Sequence, residues 1–367
     1  MSSNKKRILC AMSGGVDSSV SALLLKQKGY EVIGIFMNFW SENNNNTCPN
    51  KCCSTESGRS ARSVASKLNI KLYSLNYKEI FKKKVVDDYI QGYENAKTPN
   101  PCVICNREIK FGKLLKIAKD IGASAVATGH YARIITKNKR FELHRGIDKN
   151  KDQSYFLWRI PLSSLGKILF PIGNLTKSTV RNIAKNNNLD TYNKKDSQGL
   201  CFVGESNSSF ISKYVKSRLK PGNVVDIKGN IIGHHNGLAY YTIGQRTGFS
   251  VINDKWRRKG IDVPPLYVVR IDSEKNALVV GEDKYTYRQT LTIADTNWFD
   301  YPFTASINKK TLLAQIRYQH KPTKCTISKI NDNEVNVKFN QAQRAITAGQ
   351  SCVFYEKDKV LGGGFIK

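Results

Sequence analysis

An α/β domain with a parallel sheet covered by helices is predicted for residues 1–205, and a small all-β barrel for the end of the chain. Three observations predict this. A strand-like run turns on glycines into a helix. Apolar strand candidates then alternate with helix-like stretches. After Pro221-Gly222, β-branched and aromatic residues alternate with turn signals.

In order, Ile8-Leu9-Cys10-Ala11 reads as a buried strand, Ser13-Gly14-Gly15 as a turn, and a helix begins near Asp17 or Ser18. Val20, Leu23, Leu24 and Gln27 follow at helical spacing, with Gly29 as a stop signal. Strands are expected at Glu31–Phe39, Lys71–Leu75 and Ala123–Thr128, and helices at Ser57–Leu68, Ile80–Tyr93 and Glu108–Lys119. Ligands of such sheets bind at the carboxyl ends of the strands, where Ser13–Ser19 lies. A helix over Phe210–Leu219 precedes the break. Beyond it, Lys228-Gly229-Asn230 and Ser273–Asn276 read as turns. From Thr290 to Lys367, short strands are separated by turns that include Ile330–Glu334 and Glu356–Lys359.

With 59 Lys+Arg against 29 Asp+Glu, the net charge is +30, which points to a polyanionic partner such as a nucleic acid. A Lys/Asn-rich source composition contributes too, as in the runs Asn43–Asn46 and Asn186–Asn188. No apolar run reaches transmembrane length. The segment Met1–Arg7 leads straight into a strand and leaves no room for a signal peptide. Nine cysteines without such a signal imply a reducing, cytoplasmic setting.

A strand turning on glycines into a helix N-terminus presents backbone N–H groups at the positive end of the helix dipole, which suits phosphate. Ser13 and Ser18 add hydroxyls, and Asp17 is placed to cap the helix or hold magnesium. The pattern lacks the closing Lys-Ser or Lys-Thr of the Walker loop and the spaced glycines of a dinucleotide fingerprint. A second constellation is the loop Lys97–Asn106, rigidified by Pro99 and Pro101, which sets Cys102 and Cys105 at the mouth of a helix N-terminus. There the dipole, with Lys97, Arg107 and Lys110, is expected to lower thiol pKa. Cys201 lies far off in a glycine-adjacent segment, Asp196–Phe202. Cys48, Cys52 and Cys53 form a weak zinc pattern, and Cys10, Cys325 and Cys352 read as core. His144, His234 and His235 read as polar loop residues. Lys255–Lys259 reads as an RNA-backbone contact or a solvated loop, and magnesium or orienting roles stay open for Asp152 and Asp196. No metal-ligating set is assigned.

Ser-Gly-Gly-x-Asp-Ser at Ser13–Ser18 resembles the loop of the ATP pyrophosphatases, which attach AMP to a carbonyl oxygen. With Thr98–Asn106 and its Glu108–Gly112 continuation, Gly129–Ala132, Lys151–Leu157, Gly199–Phe202, Arg317-Tyr318 and Gly349–Ser351, the chain resembles the tRNA-specific 2-thiouridylases over essentially its whole length. The resemblance implies an adenine nucleotide α-hydrolase-like domain over 1–209, a small central domain contacting tRNA over 210–287, and a tRNA-contacting β-barrel over 288–367. It implies ATP-dependent replacement of O2 by sulfur on uridine 34, with Mg2+ and persulfide sulfur as further requirements. The sulfur donor it implies is a cysteine desulfurase or a sulfur-relay protein.

Carried over residue by residue, the resemblance makes Ala11, Met12, Ser13, Gly14, Gly15, Val16, Asp17 and Ser18 the nucleotide loop. Met37 and Gly129 match backbone contacts on the adenine side of ATP. Cys201 matches the persulfide carrier and Cys105 the second catalytic thiol, the two closing as a disulfide when sulfur leaves. Asn100, Pro101 and Cys102, with Lys151, Asp152 and Gln153, match segments touching the target base and its surroundings. His130, Gln350, Arg317 and Tyr318 match tRNA-contacting positions. Many relatives carry Asp where this chain has Cys102, so Cys102 is a spectator, a resolving thiol or a metal ligand. An iron–sulfur cluster on Cys102, Cys105 and Cys201 is the less favoured route. Another pyrophosphatase-loop synthetase and a non-catalytic RNA-binding protein are the rival functions. The former leaves paired thiols unexplained, and the latter needs no intact glycine loop.

Overall fold

The computed structural model describes residues 5–42, 54–196, 199–251, 265–299 and 312–367. Cys48, Cys52, Cys53, Asn43–Asn46, Ser197, Gln198 and Lys255–Lys259 lie outside them. The first layer is built from β1 (Arg7–Ala11), α1 (Val16–Gln27), β2 (Glu31–Asn38), α2 (Thr55–Lys67) and β3 (Lys71–Asn76). Next come α3 (Lys78–Phe81), a π-helical stretch Lys82–Val86 and α4 (Asp87–Glu94), together one near-continuous helix. A second continuous run joins α5 (Pro101–Cys105), the π-helical Asn106–Lys113 and α6 (Leu114–Asp120). This helix starts earlier than Glu108. Pro101 occupies its first position, where a missing N–H costs nothing, so the second proline opens the helix and Cys102 and Cys105 fall inside it.

Strand β4 (Ala125–Ala127) is followed by a hairpin of β5 (Ala132–Lys137) and β6 (Arg140–Arg145), then β7 (Ile168–Leu169) and α7 (Lys177–Asn186). The sheet is parallel, in the order β3-β2-β1-β4-β7, with Leu9 paired to Ile33 on one side and Val126 on the other. Alternation along β1 decides which face each side chain fills. Ile8, Cys10 and Met12 pack with Val16, Val20, Val64 and Val180 on one face, while Leu9 and Ala11 pack with Leu114 and Ala118 on the other. Chain order reverses at β1, so the glycine turn after it opens into a crevice at the carboxyl edge.

Helix α8 (Asn207–Tyr214) stops five residues short of Leu219, because Val215 turns to extended backbone. The central sheet holds β8 (Gly222–Val225), β9 (Ile231–His235), β10 (Ser250–Val251), β11 (Tyr267–Asp272) and β12 (Ala277–Gly281), in the order β10-β9-β8-β12-β11. His234 and His235 are strand residues rather than loop residues. The His235 ring is buried, accepts from Gly237 N at 3.1 Å and donates to Asn276 O at 3.1 Å. His144 likewise lies in β6, paired with Glu142 at 2.9 Å.

The last sheet comprises β13 (Tyr287–Trp298), β14 (Leu312–Gln315), β15 (Thr323–Lys329), β16 (Val335–Arg344), β17 (Ser351–Glu356) and β18 (Lys359–Ile366). Pairing of β13 with β18 closes these antiparallel strands into a six-stranded barrel. Cys325 and Cys352 fill its core, and burial pushes the Cys325 thiol up to about 12, as it does for Cys10 in β1. The β5–β6 hairpin, where no strand was expected, lies within the first 205 residues but extends this barrel sheet through Lys359 opposite His144. Trp158 is wholly buried between the first and last layers. Its Nε1 donates to Ser351 Oγ at 3.0 Å, and Asn297 Nδ2 donates to the Ile160 carbonyl at 3.1 Å. Among the described residues no helix is long and apolar enough to cross a membrane.

Candidate active site

The glycine loop is held from both sides. Gly14 has φ +76°, and a Cβ there would lie 2.1 Å from the Ser57 carbonyl oxygen at the start of α2. Gly129, after β4, backs onto the Asp17 and Ser18 backbone so closely that a Cβ would meet both at 2.8 Å. Ser13 N–H donates to Ser18 Oγ at 3.2 Å, and Ser18 Oγ donates in turn to the Gly15 carbonyl at 3.0 Å. Gly15 is the helix N-cap and no side chain caps α1, so the first-turn amides are presented to the crevice.

Asp17 therefore does not cap the helix. Its Oδ1 accepts from Tyr131 OH at 2.7 Å, and Lys177 Nζ reaches both carboxylate oxygens at 2.8 Å. The same ammonium lies 2.9 Å from Asp196 Oδ1, which Arg181 also approaches at 2.8 Å, while Lys151 Nζ holds Asp196 Oδ2 at 2.7 Å. Burial alone would raise the Asp196 carboxyl, but hydrogen bonds from Lys151 and Lys177 outweigh it and hold the group at about 2.

The thiols sit on the neighbouring part of the same edge. Cys105, 7 % exposed, and half-buried Cys201 share one apolar cluster with Phe81, Tyr89, Phe202 and Val203. Met37, at the end of β2, packs into that cluster and also into the core beneath the glycine loop. The segment after Cys201 is tied to the extension of β2: Glu42 N donates to Phe202 O at 3.3 Å, and Gly204 N donates to Glu42 Oε2 at 3.1 Å. Tyr89 stacks edge-on against Phe202 and hydrogen-bonds Asn207. Cys102 is half-buried on the same helix as Cys105. Among the described residues no disulfide is formed.

The expected tRNA-contacting positions divide into two groups. Thr98, beside Asn100 and Pro101, is a three-way junction: its N donates to Ala348 O at 2.8 Å, its carbonyl accepts from Gln350 Nε2 at 2.8 Å, and its hydroxyl meets that of Thr242 at 3.1 Å. Asn100 is buried just ahead of Pro101. Tyr318 is half-buried, its ring 4.7 Å from that of Phe156, and Arg317 donates to Arg344 O at 3.0 Å. The second group faces inward. Asp152 is buried and accepts from Gly146 N, Ser154 N, Ser154 Oγ and Arg145, a set that saturates its carboxylate. Gln153 is joined to Tyr131 by two backbone-directed bonds, Gln153 Oε1 accepting from Tyr131 N at 3.1 Å. His130 is buried between Phe111 and Phe170, with Nδ1 at 2.7 Å from Thr128 Oγ1, and burial drives its pKa well down. Magnesium and orienting roles had stayed open for the two aspartates. Asp152 organises a turn, and Asp196 anchors three cations.

Lys177, Arg181 and Glu42 were not singled out in the sequence, and Tyr131 entered only as part of the motif Gly129–Ala132. One signal for Lys177 was present: a lysine directly after the cap Thr176 opposes the helix dipole, which favours an acid there.

Family models match in three blocks: a tRNA methyl transferase HUP domain over residues 6–205, a tRNA methyl transferase PRC-barrel domain over 208–282, and an aminomethyltransferase β-barrel domain over 288–366. The chain is 42 % identical over 369 residues to the tRNA-specific 2-thiouridylase MnmA of Clostridium perfringens, covering 99 % of both chains. It is 40 % identical over 365 residues to the corresponding protein of Clostridioides difficile, covering 99 % of this chain and 98 % of the relative.

Proposed function

The chain belongs to the tRNA-specific 2-thiouridylase family, and on that premise we propose that it adenylates O2 of uridine 34 of tRNA and replaces that oxygen with sulfur. The observation that carries the reading is the placing of Cys105 and Cys201 in one cluster that Met37 joins to the core under the glycine loop. A thiolation enzyme needs both thiols in the region where the base is adenylated, because sulfur must reach the base while it is still activated.

Hydroxide or oxide is a poor leaving group, so O2 first attacks the α-phosphorus of ATP and pyrophosphate departs. The amides after Gly14 and Gly15, with the Ser13 and Ser18 hydroxyls, hold the phosphates as charge builds on them. Magnesium, when bound with ATP, spreads that charge. Asp17 would be the loop carboxylate to hold that ion, once Lys177 has left its two oxygens. The outer sulfur of a Cys201 persulfide then attacks C2, and AMP leaves with the former O2. Cys105 thiolate attacks the inner sulfur, forming the Cys105–Cys201 disulfide and leaving the base as thiocarbonyl. The two electrons in that disulfide are restored by an external thiol, and a protein sulfur donor reloads Cys201.

The flank of the site suits RNA. Net charge +30 supplies the long-range attraction, Arg317 a guanidinium and Tyr318 a ring, and Thr98–Pro101 sits where the three layers meet. The decisive experiment is Cys105→Ser and Cys201→Ser with tRNA, ATP and a persulfide source. Both are expected to lose oxygen-for-sulfur exchange on the wobble uridine, read by nucleoside mass spectrometry, while tRNA-dependent pyrophosphate release persists. Normal thiolation by Cys105→Ser refutes the thiol assignment. Pyrophosphate release that ignores tRNA refutes the adenylation step.

A further inference from the structure

Lys177 is a cation in the crevice that the steps above do not use. Its side chain is 13 % exposed, and its Nζ bridges Asp17 in the glycine loop to Asp196 in the approach to Cys201. The stem is anchored: Thr176 caps α7 by accepting from Thr179 N at 3.2 Å, and Lys177 N–H donates to Asp148 Oδ2 at 2.9 Å. The backbone is fixed at the first helical position while the ammonium reaches across to α1. A cation there works against the α7 dipole, so the helix is not what it serves.

We infer that Lys177 is a mobile phosphate-binding cation of the ATP site, resting on Asp17 and Asp196 before ATP enters and moving onto the departing pyrophosphate during adenylation. This deepens the functional proposal and rests on the glycine loop being the phosphate site.

Three features carry it. Asp17 is the second residue of α1, so its partner stands within the first turn whose amides face the crevice. Departure of Lys177 strands neither carboxylate: Asp17 keeps Tyr131 OH at 2.7 Å, and Asp196 keeps Lys151 at 2.7 Å and Arg181 at 2.8 Å. Finally, three cations, Lys151, Lys177 and Arg181, are gathered beside the loop on Asp17 and Asp196, with Asp148 engaged by the Lys177 backbone N–H, so an entering polyanion meets several cations at once. An ammonium on a four-carbon stem is suited to such a transfer, since it acts as a rotatable point charge rather than a fixed fork. In the step itself the α-phosphorus–oxygen bond breaks, its electron pair leaves on the β-phosphate oxygen, and Lys177 neutralises that charge while keeping its proton.

The test is calorimetric titration of the full-length protein with inorganic pyrophosphate and, separately, with AMP. Lys177→Met is expected to weaken pyrophosphate binding by at least tenfold and leave AMP within about threefold, with kcat for tRNA-dependent pyrophosphate release down roughly 100-fold. Lys177→Arg is expected to recover part of the pyrophosphate affinity. Loss of one ligand but not the other separates phosphate binding from a structural ion pair, which would move both or neither. Pyrophosphate affinity within twofold of wild type in Lys177→Met overturns the inference and leaves the ATP site standing. A wild-type protein that binds neither ligand overturns the ATP site and this inference with it. A second arm needs no variant: pyridoxal phosphate followed by borohydride, read by mass spectrometry on the wild-type protein. Labelling of Lys177 that pyrophosphate blocks and AMP does not supports the assignment, and labelling indifferent to pyrophosphate overturns it.

Discussion

Replacing Gly14 with alanine tests the phosphate loop most directly. The residue sits at φ +76°, where an L side chain costs about 1–2 kcal/mol. The added Cβ would also lie 2.1 Å from the Ser57 carbonyl oxygen and 2.9 Å from its carbonyl carbon. Those are backbone atoms in the first turn of α2, whose cap Ser54 accepts from Ser57 N at 3.1 Å, so no side-chain rotation relieves the contact. The loop and α2 must separate by roughly 1 Å, and overpacking of that kind costs about 1–3 kcal/mol. Together the terms amount to about 2–5 kcal/mol against the loop geometry. If only the lower end falls on the liganded conformation, ATP affinity drops roughly 30-fold. Calorimetry with ATP, beside a thermal melt, measures it. Gly29→Ala is the control: it shares a positive φ of +83° but has nothing within 4 Å, so it is expected to lose about 1 kcal/mol of stability with ATP affinity unchanged. Gly14→Ala protein that binds ATP within twofold of wild type, at an unchanged melting temperature, refutes the reasoning.

Two further outcomes follow from packing and charge. Trp158→Ala empties a wholly buried site under the barrel and removes the bond to Ser351, so it is expected to cost about 3–5 kcal/mol in denaturant unfolding; a loss under 1 kcal/mol contradicts the docking role. Asp196 is held below the ordinary aspartate value of 3.8, at about 2, so its stabilisation is fully present above the ordinary value and is lost as pH falls toward 2. After a discount for its solvent exposure this amounts to about 1–2 kcal/mol near neutral pH. Asp196→Asn should melt below wild type at pH 7, with the gap closing between pH 4 and pH 2; a gap constant with pH rejects the ion-pair account.

Much of the site was legible locally. The turn at Gly14 and Gly15 needs only a buried strand before it and helical spacing after it, and both patterns lie within a dozen residues. The helix around Cys105 shows where local reading stops. Pro99 and Pro101 read as breaks, yet Pro101 became the first residue of the helix, because a proline is disfavoured inside a helix and welcome at its start. The β5–β6 hairpin shows the same limit at longer range. No strand was expected over its residues, and local pattern could not have told which sheet they join; they paired with the barrel.

The sequence by itself determined the layered α/β start, the glycine loop, the all-β end and, through its motifs, the family. Only the tertiary structure gathered Cys105 with Cys201, seated Thr98 between two other layers, and brought Lys177 to Asp17 across 160 positions of chain. The reason is physical. Periodicity and backbone preference act over one or two turns, whereas the pairing of distant side chains is set by which apolar faces bury each other, and the spacing of residues along the chain carries no record of that choice.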